Sequence, residues 1–447
     1  MRTWKAIAKL AGVLSDVVFR SVEIRRRGGL PQGPTLVLAN HGGGLADILL
    51  VIQAFPRFPR FLARDVIWRV PGGPAVMRAA GGIPVHRRQD HGGAADNAGM
   101  FDSAFDALAE GDLVAIYPEG ESVPEPRLAP LRTGAARIAL GALARGTDTT
   151  IVPTGLRYFD VSVLRARALL DIGAPVTMGE LVAELGDRGP VSEANHDLVE
   201  AVTAAFTQRL AAVTDEYDGW EARRKYEVAA TVYLQDRQNP EATLTYSEIA
   251  MLARHISEAP APLRDAVDVA VGAFLADTEL LGVRDGAIPE AAMVGTRLAG
   301  EVGRVALLAP LAGYGFLVNA VGILGLSAIA HTGIAPATAA SVKPAFAIVA
   351  FPLGWVALSW LTNRRWGAAA AAIAALSGPV SLGAAVVAGE RAQLLFLSGR
   401  ALRRVKGPLL AQIAAARTSV ADTVQAVIQD RGRGDGPEEF QTEPRQQ

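Results

Sequence analysis

The sequence predicts an α/β domain with a mixed, mostly buried sheet, followed by a helical segment and a C-terminal membrane-embedded helical region. Three observations carry this. Between residues 30 and 180, short apolar runs alternate with helical stretches, the pattern of a sheet covered by helices. From 191 to 300 the chain is polar and keeps helical periodicity, as in Leu198, Val202, Phe206 and Leu210. After residue 304 long uncharged runs accumulate, and about 20 apolar residues suffice to cross a bilayer. A chain of 447 residues that is half hydrophobic, with mean hydropathy +0.24, has material for all three parts.

The chain contains no cysteine, so disulfides, thiolate nucleophiles and thiolate metal sites are excluded. Net charge is near zero, yet residues 1–90 carry fourteen Lys and Arg against five Asp and Glu. A basic lobe suits phosphates, anionic lipid headgroups or nucleic acid. Asp16 interrupts the first apolar run early, which argues against a signal peptide.

Residues 1–22 read as an amphipathic helix, lying on a membrane surface or equally packing on its own domain, with Trp4, Ile7, Ala11, Leu14, Val17 and Val18 at helical spacing. The α/β domain spans 23–190, with strands expected at 35–39, 61–63, 83–86, 113–117, 151–156 and 168–172. Helices are expected at Met100–Glu110 and Thr133–Ala144. In the helical segment, Trp220 reads as a core residue beside the solvated pair Arg223 and Arg224.

The region 301–395 holds three uncharged runs, 305–330, 344–362 and a weaker 367–389 that is rich in Ala and Gly and contains Pro379. Cationic flanks lie around every run except in the 331–343 loop. By the positive-inside rule, the first two should form a spanning hairpin and the third should be re-entrant or interfacial. Residues 290 and 410 then share a side. The segment 396–447 is expected to be amphipathic and then disordered.

The chemistry concentrates at Asn40-His41-Gly42-Gly43-Gly44-Leu45-Ala46-Asp47, directly after the strand 35–39. On one regular helix, residues six apart point to different faces. Glycines admit turn conformations closed to other residues, so the loop can bring the Asp47 carboxylate to the His41 imidazole. An imidazole oriented by a carboxylate is a general base, and its unshifted pKa of about 6.5 suits neutral pH. The plainer alternative is a glycine-rich turn with a satisfied His and a helix-capping Asp.

Three further clusters follow. Ile83-Pro84-Val85-His86-Arg87-Arg88 ends a strand in two guanidinium forks suited to phosphate. Tyr117-Pro118-Glu119-Gly120-Glu121-Ser122 follows the strand 113–116, where α/β sheets place ligands. It runs into Leu131-Arg132-Thr133-Gly134, a helix start that favours anions. Ile151-Val152-Pro153-Thr154-Gly155 is an apolar strand broken by Pro and Gly, read as lining a pocket for something apolar.

In this order and at these intervals the four blocks resemble the four motifs of the glycerolipid acyltransferase superfamily, which includes glycerol-3-phosphate and lysophosphatidate acyltransferases. The resemblance covers roughly residues 20–180. Five residues separate His41 from Asp47 where four are commoner, a variant resembling the branch that includes fungal glycerol-3-phosphate acyltransferases, and Glu121 stands where Thr is more usual. The resemblance implies transfer of an acyl group from acyl-CoA or acyl carrier protein to glycerol-3-phosphate or lysophosphatidate. It assigns catalysis to His41 and Asp47. It assigns substrate binding to Asn40, Gly43, Gly44, Arg87, Arg88, Glu119, Gly120, Glu121, Ser122, Arg132 and Pro153. The amides of Gly42 to Gly44, or of Gly120, are candidate oxyanion donors. No metal or other cofactor is implied. The expected partners are membrane lipids, the thioester donor and a phosphorylated glycerol acceptor, not nucleic acid, with the protein in a membrane and its site on the cytoplasmic face. Two other readings remain: a CoA-independent transacylase between phospholipids, or a non-catalytic membrane lipid-binding or transport protein. The latter would need polar residues within the apolar runs, where Asn319 stands nearly alone.

Overall fold

In the computed structural model, one strand organises the N-terminal part of the chain: β2 (Thr35–Ala39), buried along its whole length. Side chains alternate faces along a strand. Leu36 and Leu38 therefore enter one apolar core, and Val37 and Ala39 enter another on the opposite side of the sheet. Such a strand must be covered on both faces. The structure describes residues 18–69, 73–86, 98–122, 125–159, 166–237, 244–280, 296–332, 336–404 and 407–431, together with Gly12 and Ser15.

The sheet also contains β1 (Phe19–Arg26), β3 (Pro59–Arg64), β4 (Ile83–Val85), β5 (Leu113–Ile116), β6 (Thr150–Tyr158), β7 (Ala166–Ile172) and β8 (Val176–Thr177). Their order is β1-β7-β6-β2-β5-β3-β4, with β8 on β6. β2 is parallel to β5 and β6, and β6 is antiparallel to β7 and β8. The expected mixed, mostly buried sheet is present. One face is covered by α1 (Leu45–Ala54), whose Leu49, Leu50, Val51 and Ile52 are buried. Beyond α1 come a 3₁₀ turn (Asp65–Arg69) and α2 (Gly73–Ala79). The other face is covered by α3 (Ala98–Ala109), α4 (Gly134–Ala144), α5 (Met178–Leu185) and α6 (His196–Ala211).

Two boundaries differ from the expectation. Residues 19–22 are strand, not helix: Phe19 and Val22 are buried, and β1 pairs in parallel with β7. Most of the expected helix before them lies outside the described residues. The α/β unit also extends past 190, because Leu198, Val202 and Phe206 of α6 complete its core, and the chain divides into compact units after Gly219.

The second unit begins with α7 (Trp220–Arg237), α8 (Tyr246–Ser257) and α9 (Ala261–Leu280). Here Trp220 is 38% exposed, while Arg223 is buried, 3.0 Å from Glu227, and bonded to Tyr246. The expected core Trp is thus exposed and Arg223 is buried, while Arg224 is exposed as expected. The apolar region forms α10 (Thr296–Val318), α11 (Ala320–His331), α12 (Pro336–Trp366) and α13 (Ala368–Arg404). Within these, Ala345–Trp366 and Ala368–Gln393 are long and apolar enough to cross a membrane, whereas α10 and α11 form a pair bent by 73°. This corrects the expected hairpin: the second and third runs are the continuous helices, and the first is broken. The break is at Asn319, whose amide donates to Gly315 O (2.9 Å) and accepts the Trp355 indole N–H (2.8 Å). Pro379, by contrast, is accommodated inside α13.

The first part of the tail is helical, with one side buried. α14 (Gly407–Arg431) buries Val420, Val424 and Val427 and packs back on α7 and α9. Gln412 donates to Asp277 on α9 (2.8 Å), and Tyr233 on α7 donates to Gln425 (2.8 Å). The expected disorder after 431 falls outside the described residues.

If the two long apolar helices cross a bilayer, the packing of α9 on α14 requires both of these to lie on one side of it; α12 and α13 would then supply two crossings, and the bent α10–α11 pair would enter and return. Single cysteines placed in this cysteine-free chain at Ala276, Ala368 and Ala414 should show it. An impermeant thiol reagent should reach positions 276 and 414 from one side and 368 from the other; labelling of 276 and 414 from opposite sides would contradict the packing.

Candidate active site

The carboxyl ends of β2, β5 and β6 lie side by side, since β2 is flanked by the other two in parallel register. Residues just beyond such ends form the ligand crevice of α/β sheets. Asn40-His41 leave β2 there, and Tyr117-Pro118-Glu119 leave β5.

The loop after His41 folds back as its glycines allow. Gly44 (φ 60°) precedes α1, and Asp47 falls in the helix's first turn, where backbone amides favour a negative charge. His41 Nδ1 is 2.7 Å from Asp47 Oδ2. An ionised carboxylate only accepts, so Nδ1 carries the hydrogen and Nε2 is the nitrogen left for a substrate proton. Asp47 is fully buried, while the imidazole keeps 21% exposure, enough for a substrate to reach it. The imidazole also stacks on Tyr117, centroids 4.2 Å apart and planes 19° apart.

Asp47 has further donors. The Gly43 amide lies 3.0 and 3.1 Å from its two oxygens, and Tyr158 donates to Oδ1. A side chain at 43 has no room, because a Cβ there would sit 2.6 Å from the Tyr158 hydroxyl and 2.7 Å from Asp47 Oδ1. Burial, and next the Asp47 charge, push the Tyr158 phenol well above its ordinary range, so it stays a donor near neutrality.

Several residues expected to touch substrate also hold the loops in place. Asn40 donates to Leu156 O (3.0 Å) and accepts from Leu156 N (2.7 Å), tying the end of β2 to β6. Glu119 is 3% exposed, and its carboxylate accepts the His41 amide (2.7 Å) and the Ala129 amide (3.0 Å). Burial pushes the Glu119 carboxyl upward, partly offset by those two amides. Pro153 is buried inside β6, between the residues paired to β8 and those paired to β7, where a missing N–H is tolerated. Of the proposed oxyanion donors, the Gly43 amide is taken by Asp47 and the Gly120 amide by Tyr117 O (3.0 Å).

Gly120 (φ +77°) leaves room for Arg132, since a Cβ at 120 would meet the Arg132 Nε at 2.5 Å. Arg132 donates from Nε to Glu119 O (3.2 Å) while remaining exposed. Glu121 is exposed, and the Ser122 hydroxyl is buried without a partner among the described residues. Arg87 and Arg88 lie outside the described residues. The structure thus joins His41, Asp47, Asn40, Glu119, Gly120 and Arg132 in one bonded neighbourhood. Sequence reasoning missed Tyr158 in it, and the stacking role of Tyr117. Nothing local signals Tyr158, which meets Asp47 across 111 positions.

A histidine held by a buried aspartate at the mouth of a parallel β-sheet defines an α/β domain equipped for general acid–base chemistry. Residues 21–157 match the family described as Acyltransferase, and this region is an acyltransferase domain. Glycerol-3-phosphate O-acyltransferase 2 of Saccharomyces cerevisiae is 31% identical over 140 residues, 31% of this chain and 18% of that protein. Glycerol-3-phosphate O-acyltransferase 1 of the same yeast is 29% identical over 141 residues, again 31% and 18%. The match thus spans under a fifth of those relatives' length. The crystal structure of the 1-acyl-sn-glycerophosphate acyltransferase of Thermotoga maritima aligns at TM-score 0.33 and 18% identity, over 46% of this chain and 78% of that one.

If Glu119 is a clamp between two loops, Glu119→Gln turns an N–H toward one of its amides and should destabilise the domain by about 1–3 kcal/mol. Calorimetry of the detergent-solubilised chain should show the loss as a lowered Tm. An unchanged Tm with only a raised KM for acceptor would instead make Glu119 a binding residue.

Proposed function

We propose that this protein is a membrane-bound O-acyltransferase. It moves a fatty acyl group from acyl-CoA or acyl carrier protein to glycerol-3-phosphate or lysophosphatidate in phospholipid synthesis. The observation that carries the reading is the buried Asp47 carboxylate, 2.7 Å from His41 Nδ1, with Nε2 left for substrate. The acyltransferase match and the names of the yeast relatives support the reaction class and the acceptor.

In this mechanism His41 Nε2 takes the proton of the acceptor hydroxyl as its oxygen attacks the thioester carbonyl. Asp47 holds the imidazole in the useful tautomer and stabilises the imidazolium. The tetrahedral oxyanion collapses, the ester C–O bond is kept, the C–S bond breaks, and His41 returns its proton to the departing thiolate. Of the amides expected to meet the oxyanion, those of Gly42 and Gly44 remain the candidates. Arg132 offers the acceptor phosphate an exposed guanidinium, joined in this reading by Arg87 and Arg88. The apolar helices suit a product that stays at the lipid boundary, and a water-soluble thioester donor fits a site on the cytoplasmic face.

Purified chain is assayed with labelled acyl-CoA and either acceptor. His41→Ala should lower kcat by about 10²–10⁴-fold or more, and Asp47→Asn should also lower it greatly. Near-normal turnover in His41→Ala would remove the base. Arg132→Ala should raise the KM of the phosphorylated acceptor more than that of the donor, and equal effects would remove the phosphate role.

A further inference from the structure

The Asp47 carboxylate has no access to water, so its protein donors alone decide how it sits and how much charge it presents to His41. His41 and Gly43 belong to its own loop. Among the described residues, the remaining donor comes from elsewhere in the fold: Tyr158, the last residue of β6. We propose that Tyr158 is a positioning residue of the site, its hydroxyl fixing Asp47 Oδ1 and tempering the carboxylate that orients His41. The proposal rests on the reading of His41 as general base.

Tyr158 is well placed for this. It is 5% exposed, pairs with Ala168 across the antiparallel β6–β7 ladder, and its ring stacks on Phe19 at 5.8 Å. A donor mounted on a central strand holds its partner more tightly than one on a loop. Packing alone would be served by phenylalanine, so the hydroxyl is the part that needs a reason. Its oxygen also closes the space over Gly43, so Gly43, Asp47 and Tyr158 fix one another's positions.

The sign of the effect follows from charge. A donor on Oδ1 withdraws negative charge from the carboxylate, which then stabilises the His41 imidazolium less. Without the hydroxyl the imidazolium is favoured, the apparent pKa of His41 rises, and the free base is reached only at higher pH. The carboxylate is also less firmly oriented.

The test is the pH dependence of kcat and kcat/KM for full-length Tyr158→Phe with acyl-CoA and glycerol-3-phosphate, or lysophosphatidate if that is the acceptor used. Expected are a kcat lowered about tenfold or more, the order of one lost hydrogen bond to a charged group, and KM values within about twofold. The acid limb should move up by about half a pH unit to one unit. A second protein carrying 3-fluorotyrosine at 158, a stronger donor of nearly the same volume, should move the limb down, and it retains the packing if the Phe variant folds poorly. A limb unmoved in both proteins would overturn the proposal, whether or not kcat falls, because a packing role lowers activity without changing the titration. His41→Ala is measured alongside. If it stays active, the base reading fails; if it is inactive while both limbs are unmoved, only the role of Tyr158 fails.

Discussion

A carboxylate withdrawn from water costs several kcal/mol unless donors replace its hydration, and Asp47 is fully withdrawn. The local architecture answers that cost. The imidazole of His41, the amide of Gly43 and the hydroxyl of Tyr158 surround the two oxygens at the first turn of α1. Each donor constrains a different part of the chain. The turn must contain glycine at 43, the helix must start directly after Gly44, and β6 must extend to residue 158. The dyad is therefore a property of the whole sheet edge rather than of one short motif.

Around it, a second set of bonds fixes the loops that leave the sheet. Asn40 carries the β2–β6 connection one residue past the strand, and Glu119 holds the His41 amide with one oxygen and the Ala129 amide with the other. The loop leading to Ala129 is gripped in turn by the segment after α6: Tyr217 N donates to Pro126 O (2.9 Å) and Leu128 N to Glu216 (3.3 Å). That segment is anchored by the buried Arg157, which donates to the carbonyls of Val213 and Thr214 and lies 3.2 Å from Asp215. Asn40 and Glu119 thus hold the geometry of the loops, and Arg132 is left exposed beside Glu119.

The strands at 35–39, 113–116 and 150–158 were legible because buried strands are continuous apolar runs. β1 was not: Glu23, Arg25 and Arg26 interrupt its apolar residues, as suits a strand at the end of the sheet order, and its start continues a helical pattern. The approach of His41 to Asp47 could be argued from the glycines between them, because that contact is local. The partners of Asn40 and Tyr158 lie more than a hundred positions away, and no spacing rule reaches that far. Composition likewise misjudged the apolar helices. Proline in the third run suggested a break, yet the break falls at Asn319, where side-chain hydrogen bonds to Gly315 and Trp355 stabilise the bend.

The central claim is that the buried Asp47 fixes the Nδ1–H tautomer of His41. Proton NMR of the chain labelled with ¹⁵N-histidine reads this directly. The account predicts a far-downfield Nδ1–H resonance that is absent from both His41→Gln and Asp47→Asn. A His41 signal of the Nε2–H tautomer, or a downfield resonance that persists in Asp47→Asn, would contradict it.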